Sequence, residues 1–218
     1  PEPKAIVFVG SKTYIGGPGY ISVVDQNSTV VTVASLSNTV YSFAIDPDDE
    51  SLIYFVAGHR VKRIDTKAFL VTDFAGTVEG YLDESVAYCQ FNNPTSLVFD
   101  HNKDLLVAST GSHVIQKIDM VLGATTLVAG IPNQPGCGDG DALSTNLASP
   151  TSLVKDPINI GFIYFVSGAT IKKLTPNGQV ANVVGACSTK RRGGDLYKDG
   201  PSNSVNFMAI ASFTFTEA

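Results

Sequence analysis

Apolar and polar residues alternate in short runs along nearly the whole chain, and Gly, Asn-Gly and Asp-Pro punctuate them. Leu105-Leu-Val-Ala-Ser109, Val114-Ile-Gln-Lys-Ile-Asp119 and Thr125-Thr-Leu-Val-Ala129 form one series, with turns at Thr110-Gly-Ser-His113 and Gly123. Runs rich in Val, Ile, Phe, Tyr and Thr between such turns predict antiparallel β-meanders, and no stretch carries a helical period. Matching series start at Leu52, His59 and Phe69, and again at Phe162, Thr170 and Gln179.

One short phrase heads each series: Val40-Tyr-Ser-Phe-Ala-Ile-Asp46, Pro94-Thr-Ser-Leu-Val-Phe-Asp100, Pro150-Thr-Ser-Leu-Val-Lys-Asp156 and Ile210-Ala-Ser-Phe-Thr-Phe-Thr216. Its serines, Ser42, Ser96, Ser152 and Ser212, are 54, 56 and 60 residues apart. A period of this size marks a repeat architecture with four strands per unit. The chain enters in mid-unit: Ala5–Val9 matches a second strand, Tyr20–Asp25 a third and Thr29–Ala34 a fourth, so residues 210–216 supply the missing first strand. Four whole units result, in a permuted register that removes exposed sheet edges when it closes.

These units resemble the NHL-repeat β-propellers. The resemblance rests on Ala75-Gly76, Gly80-Tyr-Leu-Asp83, Gln90-Phe-Asn-Asn-Pro-Thr95 and Gly111-Ser-His113, with further copies at Val128-Ala-Gly130, Gly138-Asp-Gly140 and Ser149-Pro-Thr151, and at Val184-Gly185, Leu196–Gly200 and Asn206-Phe207. It implies one all-β domain over residues 1–218, a β-propeller of four four-stranded antiparallel blades. The blades are 210–216 with 1–34, 40–75, 94–130 and 150–185. The units are longer than is usual for the family, whose members commonly have six blades. The family serves many functions, so the resemblance bears on fold first.

At 218 residues, 44% hydrophobic and 16% charged, the chain suffices for one well-buried domain of four blades rather than six. A formal net charge of −5 disfavours nucleic acid, whose phosphates need a basic footprint. No run of eighteen apolar residues predicts membrane insertion, and without a hydrophobic signal segment or initiator Met a soluble, processed chain is expected. Three cysteines are too few for a disulfide framework. A bridge between Cys137 and Cys187 in a secretory compartment and three free thiols in a reducing one are both open. Asn27-Ser-Thr29 is a glycosylation sequon on an expected hairpin turn.

No constellation of catalytic residues stands out, and neither a metal nor a cofactor is expected. His59 and His113 share one repeat position and read as structural, while His101 sits in a polar turn and reads as solvated. Asp83, Asp139 and Asp199 recur in the inter-blade loops, where turn formation outweighs calcium ligation. Gly138-Asp-Gly-Asp141 lacks the ligand spacing of an EF-hand. Lys190-Arg191-Arg192 reads as a solvated loop, and Lys62, Arg63, Lys117, Lys172 and Lys173 as solvent-facing strand positions.

In propellers the inter-blade loops and the turns between second and third strands gather around the channel mouth. Here those segments are 11–19, 58–59, 76–93, 111–113, 130–149 and 185–208, with only a minimal link over 35–39. The expected function is therefore a non-enzymatic protein- or peptide-binding scaffold using this loop-rich face. Tyr14, Tyr81, Asp83, Tyr88, Asp139, Asp141, Lys190, Arg191, Arg192, Tyr197 and Asp199 are its candidate contacts. The alternatives are a metal-dependent propeller hydrolase or lyase of the lactonase type, and a share of a larger or self-associating ring. The sequence leaves open both compartment and the choice between monomer and shared ring.

Overall fold

In β4 (Leu52–Ala57) and β8 (Leu105–Ser109) nearly every residue is buried, because successive side chains serve two different cores. Ile53, Phe55 and Ala57 enter one cluster and Tyr54 and Val56 the next; Leu105 and Val107 join the latter, while Leu106 and Ala108 enter a third. The meanders that hold β4 and β8 are thus packed on both faces. The Tyr54 ring meets Phe99 edge-on at 5.5 Å across one such interface.

The computed structural model describes residues 2–186, 201, 202 and 213. Besides β4 and β8 its strands are β1 (Ala5–Val9), β2 (Lys12–Val24), β3 (Val30–Ile45), β5 (Arg60–Asp65), β6 (Leu70–Ala75), β7 (Pro94–Phe99), β9 (Val114–Asp119), β10 (Ala124–Ala129), β11 (Gly140–Asp141), β12 (Thr151–Lys155), β13 (Ile163–Ser167), β14 (Thr170–Leu174) and β15 (Gln179–Val184). The second half of β3 with β4 to β6, then β7 to β10, then β12 to β15 are three antiparallel meanders of the expected order.

Among the described residues the sheets nevertheless hold six, four and five strands instead of four each, and none is closed. Two causes are visible. Ser35-Leu-Ser-Asn-Thr39 contains no Gly or Pro, so the expected link stays extended; β3 runs through it, pairing with β2 up to Thr39 and with β4 from Val40. The fifth strand of the last sheet is β11, lent by the preceding loop to the outer edge of β15. The first unit also departs from the repeat, since β1 pairs with Lys12–Gly16, a segment expected as loop. The expected closing strand, 210–216, lies outside the described residues.

The repeated phrase stitches units together. The Ser42 hydroxyl accepts the Leu97 N–H (3.4 Å) and the Ser96 hydroxyl accepts the Leu153 N–H (2.8 Å), each from the innermost strand of the following unit. A register shift lies beside both serines. The aspartate ending the phrase caps the next turn: Asp46, Asp100 and Asp156 each accept two backbone N–H groups. His59 and His113 act alike, their Nδ1 atoms accepting the N–H of Asn93 and Ser149 at the entry to the next unit. Their structural role is met by this contact.

Loops 76–93 and 130–149 share one path. Gly76 and Gly130 donate to the carbonyls of Val86 and Ala142, and Gly80 and Gly136 to those of Phe91 and Leu147. Each loop crosses to the outer strand of the next unit, at Ser85 against Ala124 and β11 against β15. It then returns under a buried apolar wedge: Cys89 and Phe91 in one loop, Ala142 and Leu147 in the other. Burial pushes the Cys89 thiol up to about 11, so this free cysteine is inert at neutral pH.

Candidate functional site

The wedges alter the expected binding face, because much of each long loop is spent on core. Tyr14 is the clearest correction. Placed on an exposed loop by its Gly-rich surroundings, it lies in β2 opposite Val7 and is fully buried. Tyr81 is half-buried and donates to Asp83 Oδ2 (2.7 Å), and burial, then the carboxylate, push its phenol up. Asp83 also accepts from the Gln116 amide (2.9 Å). Tyr88 is 68% exposed.

Asp139 pairs with Lys172 Nζ at 2.7 Å, and Lys172 is fully buried. That overturns the solvent-facing expectation for Lys172: the Gly138-Asp139 segment is laid over it, with the Gly138 carbonyl as second acceptor (2.9 Å). The recurring loop aspartates thus reach across to a third strand. Asp141, outside that recurring set, makes a turn contact of the kind expected for it, accepting the Leu143 N–H. Lys190, Arg191, Arg192, Tyr197 and Asp199 lie outside the described residues. Among those described, no three His, Cys, Asp or Glu side chains group to hold a metal, and no helix is long and apolar enough to cross a membrane.

Among the described residues two concave sites stand out. One, of about 410 Å³, is lined by Ser42–Ile45, Leu97–Phe99 and Leu153–Lys155, the three innermost strands side by side. The other is a cleft of about 690 Å³ between the third and fourth units, on the side of the Asp-capped turns. Leu106, Ala142, Ile163 and Leu174, all buried, lie on its floor. Asp100, His101, Lys117, Asp141 and Asn177 supply polar groups, and Leu143 and Ile160, 56% and 77% exposed, complete the lining.

The polar groups of the cleft are mostly spoken for. Lys117 is ion-paired with Asp104 at 2.9 Å, which raises its pKa, and Asp100 caps its own turn. His101 differs: its Nε2 is buried without a partner. Expected to be solvated, it is instead half-buried in the cleft, since the fourth unit packs against its turn. Sequence reasoning missed His101, Leu143 and Ile160. Their only signal was an apolar pair, Ile158 and Ile160, in a turn where polar residues are usual.

No family model matches the chain, and no curated protein matches it in sequence. Solved structures do. An auxiliary nutrient binding protein from Bacteroides ovatus is 16% identical over 94% of this chain and 52% of its own, with a TM-score of 0.70. A second, from Bacteroides thetaiotaomicron, is 15% identical over 94% and 51%, with a TM-score of 0.69. Virginiamycin B lyase from Staphylococcus aureus is 16% identical over 83% and 69%, at 0.51. The structural neighbours are β-propeller-like. At these identities the likeness is one of fold, and the chain spans about half the length of the two nutrient-binding proteins.

Proposed function

We propose that this chain is an NHL-type propeller module that binds a protein or peptide without transforming it, and that the cleft between the third and fourth units seats an aliphatic side chain of the partner. The cleft carries the reading: an aliphatic floor, exposed Leu143 and Ile160 at hand, and one buried, unpartnered acceptor or donor at His101. No Phe, Tyr or Trp among the described residues lines it, so they offer a sugar ring no aromatic face to stack on, whereas a Leu or Ile side chain finds matching surface. The nutrient-binding neighbours supply a precedent for a binding scaffold in this fold, and the lyase one for catalysis. Among the described residues the cleft pairs no nucleophile with a base, which favours the first.

Titration of the isotope-labelled protein with N-acetyl-leucine amide is expected to shift the amide resonances of Leu143, Ile160 and the His101 turn. Ile160→Glu, at an exposed site, leaves folding within about 0.5 kcal/mol and weakens the probe at least roughly tenfold, about 1.4 kcal/mol. Shifts with methyl glucoside and none with the leucine probe would overturn the peptide reading.

We further propose that residues 1–218 form one domain whose ring closes through residues 210–216, at the first unit. Among the described residues β1 pairs with β2 alone, and its outward Ile6 and Phe8 are exposed apolar positions awaiting cover. Light scattering is expected to give a monomer near 23.0 kDa. A chain lacking residues 209–218 is expected to self-associate through the uncovered strand. A dimeric full-length chain would sink closure within one copy.

A further inference from the structure

The β2–β3 hairpin tip presents Asn27-Ser-Thr29 to solvent, all three residues exposed. Its backbone is already satisfied: Asp25 Oδ1 accepts the N–H of Asn27 and of Thr29, each at 2.9 Å, and Ser28 donates to the Asp25 carbonyl. The Asn27 carboxamide makes no hydrogen bond among the described residues, so a substituent there disturbs no folded contact. The tip also differs from its counterparts. Where units two and three expose Phe69, Val121 and Leu122 at this turn, the first unit is polar throughout.

Two independent observations bear on the compartment and on need. Cys137 is disulfide-bonded, a state that persists in oxidising, secretory surroundings. The strand leaving the hairpin begins Val30-Val31, both more than half exposed, and among the described residues this part of β3 pairs with β2 alone. Natural proteins cover such an edge. Asn93-Pro-Thr95, the other tripeptide of similar form, is excluded by its proline.

We propose that Asn27 is an N-glycosylation site and that its glycan flanks the apolar edge at Val30. Asn27 Nδ2 attacks C1 of an oligosaccharide carried on a polyisoprenyl pyrophosphate, the donor of the secretory pathway. The N–C1 bond forms as the C1–O bond breaks. The pyrophosphate leaves with the bonding pair, and one amide proton is lost to base.

The test is expression behind a signal peptide in a eukaryotic secretory host, then peptide mapping of the secreted, disulfide-bonded chain. Amidase treatment is expected to sharpen its band and leave Asp at position 27. Asn27→Gln and Thr29→Ala lose the glycan, whereas Thr29→Ser and Ser28→Gly, the latter suited to a φ of +60°, retain it. An unmodified Asn27 in the wild-type map overturns the proposal without reference to any variant, and a glycan surviving Thr29→Ala does so equally.

Discussion

Replacing Phe91 by alanine is expected to remove about 3–5 kcal/mol of stability, the range for deleting a fully buried aromatic side chain. Phe91 is inaccessible to solvent and stands between two sheets, in one cluster with Tyr54, Val61 and Ala75 on one side and Leu97, Phe99 and Leu105 on the other. It also touches the backbone at Gly76, where an added Cβ would lie 2.9 Å from its ring. Neither sheet is able to close the void alone, because each is fixed on its other face by the next core. Urea unfolding measures the loss as a lower midpoint. Tyr88→Ala, three residues away and exposed, is the control, expected to change stability by under about 0.5 kcal/mol. Equal effects at the two positions would mean that the loop is a surface appendage and not a wedge.

Why that wedge was hidden, while the repeat was plain, follows from the range of the interactions. The phrase around Ser42, Ser96 and Ser152 is local, and alternating strands with Asp-capped turns are read within one unit. What Ser42 and Ser96 bond to lies 55 and 57 residues away, and no pattern within a unit names it. The loops failed for the same reason: Cys89 and Phe91 end a short apolar run that lacks the repeat's strand pattern, Leu147 follows a polar stretch, and only the neighbouring sheet makes them core.

Gly16-Gly-Pro-Gly19 misled in the opposite direction. It has the composition of a loop yet lies inside β2, and its first two glycines answer to packing. A Cβ at Gly16 would sit 2.6 Å from Val40 Cγ1, and one at Gly17 2.6 Å from the Tyr20 ring. The same misreading put Tyr14 on the surface. The cleft was legible least of all, since its lining comes from two units and gathers only when they pack.

Removing the Asp139 carboxylate, by Asp139→Ala, is expected to cost about 3 kcal/mol, at the low end for breaking a buried pair. The stranded charge is the cause: Lys172 has no exposed side-chain surface, and the Gly138 carbonyl remains its one described acceptor. Asp139 itself is half-exposed, which keeps the figure low. The repeat supplies the rescue. Gln116 stands where Lys172 does, opposite Val107 as Lys172 is opposite Phe165, and meets its own loop aspartate, Asp83, as a neutral amide. In the second unit, which no long loop precedes, Lys62 holds the position and takes Asp73 from the adjacent strand.

Lys172→Gln alone is therefore expected to cost under about 1 kcal/mol, the scale of one net hydrogen bond. In Asp139→Ala the same change should restore most of the loss, a coupling of at least about 1.5 kcal/mol in a double-mutant cycle read by urea unfolding. Additive effects would show that the loop lies on the third strand without depending on it. The coupling expected instead makes each long inter-unit loop register on a third strand, through Lys172 in one case and Gln116 in the other, while Lys62 of the second unit finds its carboxylate within its own sheet.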